Sequence, residues 1–162
     1  MPYTEDELHE KTRIIAEQYY GTAQDQNQIP ITKASQQKLR QLHPSAVLFQ
    51  LIDGEPVSWI VVVPTTRILA EQFVRGEITE KNLFDQTVPS ERYEALYFCS
   101  VFTVPDHQRK GYATALLQQA IADIPLTKDP YFFGWTFSAE GAAMHQALTK
   151  KFGITVHLRT TT

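Results

Sequence analysis

Gln108-Arg109-Lys110-Gly111-Tyr112-Ala113-Thr114 places a neutral donor, two adjacent cations, a glycine and two small residues where an apolar run hands over to an amphipathic one. If that boundary is a strand running into a helix, the chemistry it suits is anion binding. A helix N-terminus leaves backbone N–H groups without partners and carries a positive partial charge. Arg109 and Lys110 oppose that dipole, and a bound anion supplies the reason for them. Gly111 has no Cβ and Ala113 nearly none, so a bulky diphosphate can approach the amides of Arg109 to Thr114. Gln108 adds a neutral donor and the two cations add charged ones, a set better suited to a pyrophosphate than to a neutral ligand.

Two familiar phosphate motifs do not fit: there is no GxxxxGK[ST], and no GxGxxG with a downstream ribose-binding acid. NTPase and dehydrogenase readings fall away with them.

The elements that must hold this turn can be read from periodicity. "ALYFCSVFTV" before it is a near-continuous apolar and β-branched run, expected to be a central strand covered on both faces. Strict alternation along it puts Tyr97, Cys99, Val101 and Thr103 on one face, and Leu96, Phe98, Ser100 and Phe102 on the other. After the turn, Ala113, Leu116, Leu117, Ala120, Ile121 and Ile124 form a helical stripe that Pro125 ends.

Upstream, a first helix is predicted from Asp6 to Tyr20, ending at Gly21, followed by a polar loop in "GTAQDQNQIP". Thr32 is read as the N-cap of a helix over Lys33 to Leu42, stopped at His43 and Pro44. "AVLFQLIDGEPVSWIVVV" reads as two strands joined by a hairpin at Asp53-Gly54, with Pro64 closing the second. Thr66 to Gln86 is a helical excursion broken at Gly76. Downstream, "YFFGWTF" is a strand, Ser138 a cap, Ala142 to Phe152 a helix ending at Gly153, and "ITVHLR" the last strand. The order α, α, β, β, α-insert, β, α, β, α, β predicts a mixed sheet flanked by helices in one α/β domain over residues 1–162.

Bulk properties agree with one compact domain: 162 residues, 43% apolar. A net charge of -3 gives no overall pull toward nucleic acid or an anionic membrane, so an anion site must be local. Cys99, the one cysteine, rules out an internal disulfide and fits a reducing compartment. The opening residues lack the blocks of a secretory signal, and no run nears the about 18 apolar residues of a membrane span. A cytoplasmic protein is expected.

The turn fills the signature Q/R-x-x-G-x-G/A as Gln108-Arg109-Lys110-Gly111-Tyr112-Ala113. Together with the apolar strand, Pro105 and the Leu116-Leu117 pair, it resembles the GNAT superfamily of N-acetyltransferases from about Ala95 to Ile154. The resemblance implies acetyl-coenzyme A as co-substrate, a GNAT-like fold with splayed central parallel strands, and an amine acceptor, a small molecule or a peptide. It also implies that the amides of Gln108, Arg109, Lys110, Gly111, Tyr112, Ala113 and Thr114 hold the diphosphate. Val101, Phe102 and Thr103 would pair with the pantetheine arm, and an amide near Val101 or Phe102 would polarise the thioester carbonyl. The family often carries a tyrosine acid where Thr149 stands here, so that role is vacant or has moved. The Thr66 to Gln86 segment is longer than the family's usual link, and with the helices before Leu42 it is where acceptor selection is expected.

Acetyl transfer to an amine needs a base or water chain for the ammonium and a proton for sulfur. Glu94, His107, Glu140 and His145 are base candidates and Tyr97 or Tyr131 acid candidates, with Glu94 and Tyr97 carried forward as the catalytic pair. Glu140 is also explained by the helix dipole, and His107 either touches the cofactor or faces water. The spacing at His145 does not match HExxH, and no metal is expected. Cys99 reads as a structural thiol, and Trp59 and Trp135 as core or slot-lining residues. A non-catalytic acyl-coenzyme A sensor on the same fold is the alternative, and a homodimer is left open.

Overall fold

The computed structural model describes residues 3–20, 32–135 and 139–159. Helix α1 (Glu5–Tyr20) and helix α2 (Lys33–Leu42) precede a hairpin of β1 (Val47–Ile52) and β2 (Glu55–Thr65). Helices α3 (Arg67–Val74) and α4 (Glu80–Gln86) lead into β3 (Tyr93–Thr103). Helix α5 (Tyr112–Asp123), β4 (Leu126–Trp135), α6 (Ala139–Phe152) and β5 (Val156–Arg159) complete the order. Gly21, the following polar stretch to Pro30, Thr136, Phe137 and the Ser138 cap lie outside the described residues.

Local chemistry accounts for the boundaries. The Thr32 hydroxyl accepts from the Ser35 amide at 3.1 Å while the Ser35 hydroxyl accepts from the Thr32 amide at 3.1 Å, a reciprocal cap that starts α2. At the hairpin Asp53 and Gly54 both take positive φ, 52° and 80°, as a two-residue turn of that hand requires. Pro64 does not close β2. The strand runs on to Thr65, with Pro64 opposite Leu96. β1 pairs with β2 only as far as Val61, so past that point, among the described residues, one edge of β2 has no strand and a residue without an N–H is tolerated.

The five strands lie in the order β1-β2-β3-β4-β5; the first three are antiparallel and β3, β4 and β5 run parallel. This is the mixed sheet flanked by helices that the element order predicts. One face packs Leu39 and Leu42 of α2, Ala70 and Phe73 of α3, and Leu83 and Phe84 of α4 against Val63, Ala95, Tyr97 and Phe133. The other packs Leu116, Leu117 and Ala120 of α5 and Leu148 of α6 against Ile60, Val62, Leu96, Phe98 and Phe132. β3, apolar on both faces, sits at the middle of the sheet, where its backbone decides what opens beside it.

Candidate active site

β3 loses one neighbour partway along its length. On its β2 side the ladder runs to Ser58 opposite Thr103, whereas its pairing with β4 ends at Phe98 opposite Gly134. Among the described residues, Cys99 to Thr103 therefore pair with no strand on the β4 side, and the last described β3–β4 rung is Phe98–Gly134.

The end of that pairing coincides with a β-bulge. Val61 lies opposite Ser100 and Val62 opposite Phe98, which leaves Cys99 as the extra residue. The bulge breaks the alternation predicted for β3. Ser100, beside Val61, and Phe102, whose ring lies 4.7 Å from that of Trp59, share the face of Tyr97 and Cys99. Val101 joins Leu96 and Phe98 on the other face, packing against the α5 and α6 cluster. Two-residue periodicity holds only while each residue meets one partner, and here it does not.

The end of β3 feeds the turn directly. Thr103 is anchored by its hydroxyl 2.9 Å from that of Ser58, and the Val104 amide donates to the Val57 carbonyl at 2.9 Å. A short 3-10 turn over Pro105–His107 follows. The side chain of Gln108 donates to the Thr103 carbonyl at 3.1 Å and ties strand end to turn, so here its amide nitrogen is engaged internally. Arg109 adopts a left-handed φ of 65° and Gly111 one of 82°. Gly111 is the N-cap residue of α5 and provides no side-chain cap, leaving the first-turn amides of Tyr112, Ala113 and Thr114 without one. A Cβ built on Gly111 would meet nothing within 4 Å, so the space beside the Gly111 Cα is open. Arg109 and Lys110 are exposed, and among the described residues neither forms an ion pair. Uncapped amides, two unengaged cations and open space fit a diphosphate.

The acid and base candidates are distributed less as predicted. Glu94 lies inside β3, at the end away from the turn, about 23 Å of strand before Val101 at 3.3 Å per residue. It is exposed and accepts from the Arg67 amide at 3.3 Å at the start of α3, so here it serves that helix end. Tyr131 is at the same end, stacked on His157 at 4.1 Å between ring centroids and lying 5.0 Å from the Arg67 guanidinium carbon. Burial is the main cause raising its phenol pKa.

Tyr97 is beside the bulge but closed in. It is 1% exposed, and its hydroxyl donates to Glu80 Oε2 at 2.5 Å. Burial, and then the Glu80 carboxylate, push the phenol well above its ordinary range, so it is a neutral donor facing α4. The structure places Tyr97 as a buried partner of Glu80. Cys99 Sγ lies 3.9 Å from the same carboxylate oxygen, and burial with that charge raises the thiol far from nucleophilic use. Arg159 sits between Phe73 and Trp135 at 4.6 and 4.7 Å and donates to the Phe73 and Ile78 carbonyls at 3.3 and 2.5 Å. Glu80 and Arg159 did not stand out from the sequence. A carboxylate in the first helical turn reads as a dipole partner, and an arginine near the chain end as a surface cation.

His145 lies on α6 over the last rung. It is 8% exposed, its ring is 6.2 Å from that of Phe98, and a Cβ on Gly134 would fall 2.5 Å from Nε2. Nδ1 is buried without a hydrogen-bond partner, and burial lowers the pKa. Thr149 is exposed and its hydroxyl donates to the His145 carbonyl at 3.1 Å. His107, with a similarly unpartnered Nδ1, stands beside the phosphate turn with its ring 6.4 Å from that of Tyr112. Glu140 is on α6, and its side chain lies outside the described residues. No group of three or more His, Cys, Asp or Glu among the described residues is placed to hold a metal. No described helix is long and apolar enough to cross a membrane.

Residues 80–153, from the start of α4 to the glycine after α6, match the family model of the acetyltransferase (GNAT) domain. Searches of curated proteins and of solved structures found no match. The matched stretch carries α4, the bulged strand, the turn, α5, β4 and α6, and leaves α1, α2, the hairpin, α3 and β5 outside it. The segment holding the last β3–β4 rung and the uncapped, glycine-led helix α5 is thus similar to the GNAT acetyltransferase domain, within a chain whose five-stranded sheet is mixed.

Proposed function

We propose that the protein transfers an acetyl group from acetyl-coenzyme A to an amine by direct attack, without a covalent enzyme intermediate. The observation that carries the reading is the alignment of the opened β3 edge, Cys99 to Thr103, with the turn over Gln108 to Thr114. An extended, amide-bearing pantetheine arm matches a strand edge that has lost its neighbour, since it can dock as an added strand along Val101, Phe102 and Thr103. The diphosphate then meets the amides of Arg109, Lys110, Gly111, Tyr112, Ala113 and Thr114, with the side chains of Arg109 and Lys110 adding charge, while the Gln108 amide is already donated to the Pro105 carbonyl at 3.3 Å. An amide at Val101 or Phe102 is the donor for the oxygen of the thioester as negative charge develops there. Direct attack is supported by Cys99, the one thiol, whose pKa is raised rather than lowered.

Isothermal calorimetry with acetyl-coenzyme A tests the first step, and thiol release over a panel of amines the second. Saturable binding with release is expected; binding without release from any amine is the outcome for a sensor. Gly111→Trp is expected to weaken binding at least about tenfold by occupying the open space beside the Gly111 Cα. Its left-handed φ adds a folding cost of about 1–2 kcal/mol, read separately from urea melts. Unchanged affinity in that variant excludes the turn.

A further inference from the structure

We propose that His145 is the catalytic residue that delivers a proton to the departing sulfur. The assignment rests on the transferase reading above. His145 is more than nine-tenths buried, yet Nδ1 has no partner, and a ring nitrogen buried without a hydrogen bond carries a cost that needs a compensating use. Its ring lies over Gly134, the β4 residue of the last described β3–β4 rung, and against Phe98, the β3 residue of that rung. Gly134 is what admits it: any side chain there would start 2.5 Å from Nε2. Among the described residues, a histidine ring therefore packs on that rung from the α6 face.

Thr149 and Tyr97 are engaged elsewhere. Thr149 is one turn further on, exposed, with its hydroxyl donated to the His145 carbonyl. Tyr97 is on the opposite face of the sheet and donates to Glu80. In the step proposed, the lone pair of the amine forms a C–N bond at the thioester carbonyl, and the imidazole takes up the proton that nitrogen releases. The C–S bond breaks with its electron pair moving to sulfur, and the ring proton follows to make the free thiol. Amine and thioester become amide and thiol, and the ring ends neutral as it began. Burial is the sole cause lowering its pKa, and its ring neighbours Phe98 and Gly134 are not titratable, so it is neutral near pH 7 and its protonated form readily gives the proton up.

His145→Gln and His145→Asn, compared with the full wild-type chain, test this. Both are expected to bind acetyl-coenzyme A within about threefold of wild type by calorimetry, while kcat for thiol release falls about 100-fold or more. Wild-type kcat is expected to decline on the acid side below pH 6.5, and that limb is expected to vanish in the variants. A variant kcat within about threefold of wild type, or a wild-type profile without the acid limb, overturns the role of His145 and leaves the transferase reading standing. Failure of the wild type to bind acetyl-coenzyme A overturns both.

Discussion

At the scale of single residues, the contact between Gly134 and His145 is the most constrained pair in the site. Gly134→Ala puts a methyl where the imidazole lies, and overpacking of this kind costs about 1–3 kcal/mol because neither β4 nor α6 can retreat from a packed sheet face. Combining it with His145→Ala, which removes the ring, is expected to recover most of that cost. Urea denaturation of the two single variants and the double variant measures the coupling; additive losses would mean that the pair does not touch in solution. The residue scale is also where the chain was least legible. Gly111 and its cations announce a phosphate turn because their job is done by neighbours in sequence. Glu80 and Tyr97, seventeen positions apart, meet only because α4 folds back over β3.

Elements are legible where their signals are local. The reciprocal cap of Thr32 and Ser35, the Asp53-Gly54 turn and the stripe of α5 each involve residues within a turn or two of one another, and each element formed where predicted. Thr32→Ala removes the acceptor for the Ser35 amide and is expected to lower stability by about 1 kcal/mol, seen as a shifted urea midpoint at unchanged slope. A midpoint that does not move would show that α2 is held by Leu39 and Leu42 alone. β3 is the element where pattern reading fails. Its apolar run marks a central strand, but the extra residue at Cys99 inverts the side-chain faces from Ser100 onward, and nothing in a run apolar on both sides marks the inversion.

For the whole molecule, the buried titratable groups define a pH window of stability. His9, lowered by burial and then by Arg40, and His145, lowered by burial, prefer to be neutral when folded. Below pH 6.5 the unfolded chain binds protons at these sites that the folded chain resists, so stability is expected to fall as pH drops through that region. Tyr97 and Cys99 have raised folded pKa values, so the unfolded chain loses protons first above their ordinary values of 10.0 and 9.0, and stability falls again on the alkaline side. Thermal melts across this range check both limbs, and His145→Gln is expected to flatten the acid one. An acid limb unchanged in that variant would assign it to His9 and the carboxylates.

The order of elements, the mixed sheet, the phosphate turn and the family resemblance were all written in local terms: periodicity, caps, a glycine with two cations. Which side chains face the opened strand was not, because that depends on a bulge defined by cross-strand register and on α4 and α6 closing from opposite faces. Glu94 shows the difference. Its place near β3 can be counted along the chain, but its distance from the slot follows from where β4 leaves β3, three residues past the point at which Tyr131 enters the ladder. Local interactions select elements residue by residue, whereas a site between strands is made by pairings that end, and only the folded sheet determines where they end.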